Sequence, residues 1–343
     1  MQLPYDERVD TGRLSACFNS TSATYKFYWF LAMLEAVEEG KDRIEKRELF
    51  ARMVANAWFS VNYFHVSFGP FDRLQEKIEL LKGTEGLAVD ARKEDVMQVL
   101  LESRQTSTAQ HLKHFDTNVP HKFLSPWLGS GARSDVYALS QHGFEFAPYA
   151  LYDAFVLVQP DWFTYFRRNS GILKDFCYWN LALFLQTRNP NVPDIPNKLR
   201  RPERRGSLAQ HKKQFWDIVL EDLGGVRCMY TGRDLHPGTY DVEHFVPFQF
   251  VAHDQMWNLV PADPAFNSRK GDRLPVLDRY FPDFYRIQTE AVGIIREKKP
   301  HSRFLDDYVS VFKSLDISEE AYRDCIAPLL TIAHHNGFQY LGG

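Results

Sequence analysis

Four prolines, Pro190, Pro193, Pro196 and Pro202, crowd between Asn189 and Gly206. Each locks its own φ near about −65° and pushes the residue before it toward extended backbone. No helix or central strand can run through such a stretch. The chain is therefore expected to fold in two parts, 1–188 and 207–343, with 189–206 as a Pro- and Arg-rich linker. A length of 343 residues agrees with two domains.

The first part has helical periodicity. Thr21 and Ser22 precede Phe27, Phe30, Leu31, Leu34 and Val37, with Gly40 closing the pattern, as in a capped amphipathic helix. Its aromatic stripe reads as core. Glu45 to about His65 is apolar nearly all round, which predicts a central helix. Segments 71–82 and 93–103 read as two more. Between His111 and Gly131 the pattern dissolves into His, Pro, Ser and Gly, so a loop-rich stretch is expected. Segments 151–159 and 162–186 return to helical or buried character. The role of this helical part is open between recognition, docking and autoinhibition.

The second part changes period. Segment 208–222 reads as a helix with Phe215, Trp216 and Val219 on one face. Val226–Tyr230 and Tyr240–Val246 read as two strands of a hairpin around Pro237–Gly238. A loop follows, then a short helix around 264–271, and helices to the C-terminus.

Composition narrows the function classes. Aromatics make up 15% of the chain, which excludes a disordered one. Net charge is −3, which excludes a strongly basic nucleic-acid coat but not a local basic patch. Cys17, Cys177, Cys228 and Cys325 are dispersed, with no Cys-x-x-Cys pair, as suits a reducing cytoplasm. Acidic residues and no apolar run mark Met1–Cys17, so it does not read as a signal peptide. The stretch 49–68 is broken by Arg52, Asn56, Asn62 and His65, so a buried helix is expected and no membrane partner.

The chemistry concentrates between Cys228 and Pro275. Glu243–His244 sets a carboxylate beside an imidazole. Asn258 lies in Trp-Asn-Leu-Val-Pro, and Asn267 in Asn-Ser-Arg-Lys. Carboxylate and amide oxygens suit Mg²⁺. A neutral His is a natural general base near neutral pH. Arg269, Lys270 and Arg273 add phosphate-binding charge. Base, metal ligands and phosphate clamps are the parts needed for phosphodiester hydrolysis.

This segment resembles the HNH endonuclease family, whose ββα-metal unit is a hairpin, loop and helix. The signature residues are Glu243, His244 and Pro247, then Asn258, Leu259 and Val260, then Asn267 with Lys270. The spacing is similar to that of RNA-guided CRISPR effector nucleases and of stand-alone HNH proteins of phage defence, including those of some Zorya systems. The resemblance implies an α+β, mostly helical protein: a helical N-terminal domain plus an HNH unit (core 226–275) flanked by helices.

The resemblance also assigns roles. His244 would be the general base at the hairpin edge, Glu243 and Asn267 the ligands of Mg²⁺ or Mn²⁺. Asn258 would hold the loop and help orient the base, and Lys270, with Arg269, would bind the scissile phosphate. Cys228 is followed by Thr231 rather than a second cysteine, so no structural zinc is expected. One base and one metal's ligands imply a nickase acting on DNA, in antiviral defence with other subunits of such a system. The alternative is a non-catalytic nucleic-acid-binding or assembly subunit with a silent HNH fold. Intact Glu243, His244, Asn267 and Lys270 favour catalysis.

Two further clusters carry weaker signals. Lys198, Arg200, Arg201, Arg204, Arg205, Lys212 and Lys213 face only Glu203 in the run before the nuclease segment. They divide evenly between a solvated linker and a DNA-backbone contact. His111, His114 and His121 with Asp116 could suggest a second metal site, but solvent-exposed histidines are the preferred reading.

Overall fold

The computed structural model describes residues 2–142, 144–201 and 207–342. It is mostly helical, with three small sheets among the described residues. The described residues of Met1–Pro190 and Ile195–Arg201 form one compact unit, those of Asn191–Asp194 and Pro202–Gly343 the other. No helix among the described residues is long and apolar enough to cross a membrane.

The first unit is built on α1 (Tyr25–Glu38), α2 (Lys46–Asn62), α3 (Arg73–Glu85) and α4 (Lys93–Glu102), with α5 (Pro160–Arg188) behind them. Helix α1 is buried from Phe27 to Leu34 without a break. Its aromatic side chains stack on other elements: Phe27 on Phe18 at 4.6 Å and Phe30 on Phe123 at 5.6 Å between ring centroids. Trp29 Nε1 donates to Tyr149 Oη at 3.0 Å. Truncating one such buried aromatic costs about 3–5 kcal/mol. The helix starts at Tyr25 rather than at Thr21–Ser22. A distant side chain, Asp72, takes the Thr24 N–H at 2.6 Å and decides where the helix begins.

Two expectations for this unit need correction. The stretch 111–131 is not loop-rich: Val119–Phe123 and Ser125–Leu128 are short helices with Pro120 and Pro126 in their first turns, where a missing N–H is harmless. Segment 149–158 is a hairpin, β2 (Tyr149–Leu151) against β3 (Phe155–Val158), extended by β1 (Arg43–Glu45). The expected linker is also altered. Ile195 and Lys198 are fully buried in the first unit, and Lys198 O accepts from Ser60 Oγ at 2.8 Å. Ile195–Lys198 forms a short 3₁₀ helix that contains Pro196, and Ile195 and Leu199 bury beside it.

In the second unit, α6 (Asp217–Leu223) leads into β4 (Val226–Arg227) and β5 (Asp234–Leu235), then β6 (Asp241–His244) and β7 (Leu259–Ala262). Helix α7 (Pro264–Lys270) follows, then α8 (Leu277–Lys298), α9 (Arg303–Phe312) and α10 (Glu319–His335). The expected pairing of 226–230 with 240–246 does not form. β4 pairs with β5 around a tight turn, where Gly232 (φ 72°) donates its N–H to Cys228 O at 2.8 Å. β6 pairs antiparallel with β7, with Glu243 opposite Val260 and His244 opposite Leu259. A loop of fourteen residues, 245–258, joins them, so no local turn signal announced this pairing.

That loop and the start of β7 are tied to the C-terminal helices. Gln288 Nε2 donates to Leu259 O at 2.7 Å, Tyr322 Oη to Trp257 O at 2.6 Å, and Met256 N to Asp307 Oδ2 at 2.8 Å. Phe245 stacks on Phe284 with centroids 4.0 Å apart. These contacts fix the site's frame from outside the motif.

Candidate active site

Side chains alternate along a strand, so Asp241 and Glu243 of β6 share a face and His244 takes the other. The contacts follow that alternation. Asp241 Oδ2 lies 3.4 Å from Asn267 Nδ2 of α7. Glu243 Oε1 accepts from Lys270 Nζ, one turn further along α7, at 2.6 Å. Asp263 starts α7 by accepting the Ala265 N–H at 3.0 Å, which points this turn of helix at the strand. Two carboxylates and one amide thus gather on the α7 side. Turning the Asn267 amide by 180° would present its oxygen instead of its nitrogen to Asp241, and such oxygens are the donors a hard divalent cation takes.

His244 lies against the 245–258 loop. Its Nε2 pairs with Asp254 Oδ1 at 2.9 Å, and its ring meets Phe248 edge-on with centroids at 5.4 Å. An Asp that accepts from Nε2–H holds the tautomer whose Nδ1 is the basic nitrogen. Asp254 was invisible as a partner in the sequence, because it lies ten residues downstream in an irregular loop. Asp241 was also missed. Its signal was the i, i+2 spacing to Glu243, which places two carboxylates on one strand face.

Asn258 is fully buried and bonds twice to one residue: its Oδ1 accepts from Val246 N and its Nδ2 donates to Val246 O, both at 2.8 Å. Its side chain closes the loop like an extra rung of the β6–β7 ladder. Both of its amide atoms are thereby committed to the loop backbone. Lys270, expected at the scissile phosphate, is enclosed by protein. Its side chain is 0% exposed, and Nζ is held by Glu243 Oε1 and by His244 O at 3.0 Å. A charge so enclosed stays because it is paired, and it serves as a strut between α7 and β6. Nor is His244 at an open hairpin edge, since it is 2% exposed.

The remaining basic residues separate. Arg269 and Arg273 are exposed at the end of α7, with Arg273 Nη2 donating to Arg269 O at 3.1 Å. Lys213 is exposed, whereas Lys212 lies over the Tyr240 ring and donates to Tyr240 O. Arg200 and Arg201 belong to the first unit. Arg200 pairs with Asp175 at 3.2 Å and stacks over Tyr178 at 3.8 Å, and Arg201 lies 5.7 Å over Phe59. Arg204 and Arg205 lie outside the described residues. Burial pushes the Tyr230 phenol well up, with Glu243 adding to the effect, so it is neutral beside the carboxylates.

Residues 228–276, which span this site, match the model of the HNH endonuclease family. Over 64 residues the chain is 38% identical to the CRISPR-associated endonuclease Cas9 of Listeria innocua serovar 6a. The alignment covers 18% of this chain and 5% of that relative, so the chain spans a small fraction of its length. No solved structure matches the chain.

Proposed function

We propose that the second unit is a divalent-metal-dependent DNA endonuclease that nicks one strand at a time. The observation that carries the reading is the split of β6. Asp241 faces Asn267 and Glu243 faces Lys270 of α7, while His244 on the other face is oriented by Asp254. His244 Nδ1 would take the proton of the attacking water as the 3′ oxygen leaves phosphorus, and Asp254 would hold the imidazole through that transfer. Mg²⁺ or Mn²⁺, held by Asp241, Glu243 and Asn267, would supply the positive charge that polarises the scissile phosphate. Arg269 and Arg273, exposed beside the site, would hold flanking phosphates. Cytoplasmic defence against foreign DNA, alongside further subunits, is the setting we propose. The similarity to a CRISPR-associated endonuclease supports it.

A plasmid assay tests the reading. With one base per protomer, supercoiled DNA in Mg²⁺ or Mn²⁺ is expected to become open circles first, with linear DNA late. Linear product without an open-circle intermediate, from protein shown to be monomeric, overturns the nickase reading.

A second reading has its own observation. The His244 side chain is 3% exposed and Lys270 occupies one oxygen of Glu243, an arrangement that suits a silent, nucleic-acid-binding HNH unit. Calorimetric titration with Mn²⁺ separates the two. Heat of binding lost in Asp241→Asn supports the nuclease, and no binding by the wild-type chain supports the silent unit.

A further inference from the structure

The first unit contains a cavity of about 560 Å³, inside the range small-molecule sites occupy. It opens beside the start of α1. Lys26 and Lys122 line it, and no acidic residue does. Neither lysine has a carboxylate partner among the described residues. Lys26 Nζ reaches only a carbonyl, Cys17 O, at 3.3 Å, and burial pushes its pKa down. Lys122 Nζ reaches the Asn118 amide oxygen at 2.8 Å.

The wall holds a further unsatisfied group. His121, expected to be exposed, is 8% exposed, lines the cavity, and leaves its buried Nδ1 without a hydrogen-bond partner. Burial and then Lys122 push its pKa down, so the ring is neutral and can donate without repelling the lysines. Asp72, which takes the Thr24 N–H, does not line the cavity. At the rim stands Phe71, 85% exposed, a large apolar ring with no burial to explain it. Two ammonium groups without carboxylate partners, a buried unsatisfied imidazole and an exposed aromatic platform match one ligand chemistry: a phosphate monoester carrying a planar ring.

We propose that this cavity binds a nucleoside monophosphate, its phosphoryl group between Lys26 and Lys122 and its base on Phe71. The proposal stands apart from the nuclease reading, because every residue it uses lies in the helical unit. Such a ligand can arrive free or as the 5′-phosphorylated end of a strand, and the two sources share this chemistry.

Calorimetric titration of the full chain tests it with dAMP, deoxyadenosine, inorganic phosphate and a 5′-phosphorylated dinucleotide, without divalent metal. Saturable binding of dAMP is expected. Lys122→Gln should weaken it about 10- to 150-fold, as loss of a charge-assisted bond does. Phe71→Ala should weaken it about 5- to 150-fold and bring dAMP close to inorganic phosphate. Both positions are exposed, so neither variant threatens the fold. Tighter binding of dAMP than of the dinucleotide assigns a free nucleotide, and the reverse assigns a strand end. No saturation by either at about 1 mM overturns the proposal. So does binding that Lys122→Gln and Phe71→Ala leave unchanged.

Discussion

Each unit buries a cation, and the two settings differ in their charge balance. In the helical unit Arg52 is 3% exposed and bonds to Glu48 at 2.7 Å and Glu39 at 2.5 Å. Lys41 answers the same two carboxylates, and Lys93 bonds to Glu35 and to the Asn56 amide. Three cations meet three carboxylates, and the network is closed. In the second unit Lys270 alone meets Glu243, while Asp241 sits two residues away on the same strand face with an amide for company. One cation among two carboxylates leaves oxygen donors in surplus. A balanced cluster around one buried cation is explained by stability alone. A surplus of one sign costs stability unless something else answers it, which marks the place for a ligand.

The largest expected effect bears on the second unit. His244→Gln should lower plasmid nicking about 10²–10⁴-fold, the span of general-base contributions. Glutamine is the informative choice, because alanine at a residue 2% exposed would also open a cavity. A thermal melt should stay near wild type, and undiminished nicking would remove His244 from the mechanism.

Next comes a matched pair that tests the charge comparison itself. Lys270→Met strands the buried Glu243 carboxylate and should cost about 3–5 kcal/mol in chemical denaturation, and Arg52→Met should cost less, because Lys41 still answers Glu39 and Glu48. Mn²⁺ should restore part of the loss in Lys270→Met and none in Arg52→Met. Equal behaviour toward Mn²⁺ would erase the distinction between the clusters.

Asp254→Asn should act more gently. As a partner that orients the base, it should lower turnover about 10- to 100-fold while the midpoint of the Mn²⁺ titration stays put. A shifted midpoint would place Asp254 among the metal's holders instead. The smallest effect belongs to the surface: Arg269→Gln with Arg273→Gln should reduce the log–log salt slope of duplex binding by roughly 0.9 per lost contact. An unchanged slope would make both arginines bystanders.

Much of the fold was legible because its signals are local. The helices 25–38, 46–62 and 160–188 follow from apolar periodicity, and α7 from its opening Pro264 and closing Gly271. The strands of the site were only half legible. Tyr240–Val246 carries a strand pattern, yet its partner is Leu259–Ala262, beyond a fourteen-residue loop, and not the nearer Val226–Tyr230. Hydrophobic alternation says that a residue is in a strand; it does not say which strand lies beside it.

The sequence alone determined which residue types meet in this site and at what spacing, because a motif is a property of the chain. Helix positions followed for the same reason: an apolar face must be buried whatever buries it. Only the tertiary structure decided how each polar group is spent. It closed Lys270 onto Glu243, gave both amide atoms of Asn258 to Val246, and brought Asp254 to His244. It also turned His121 inward beside two lysines without carboxylate partners. The cause is the same at each place. A buried donor or acceptor takes the partner that packing brings near, and packing joins residues that the chain keeps apart.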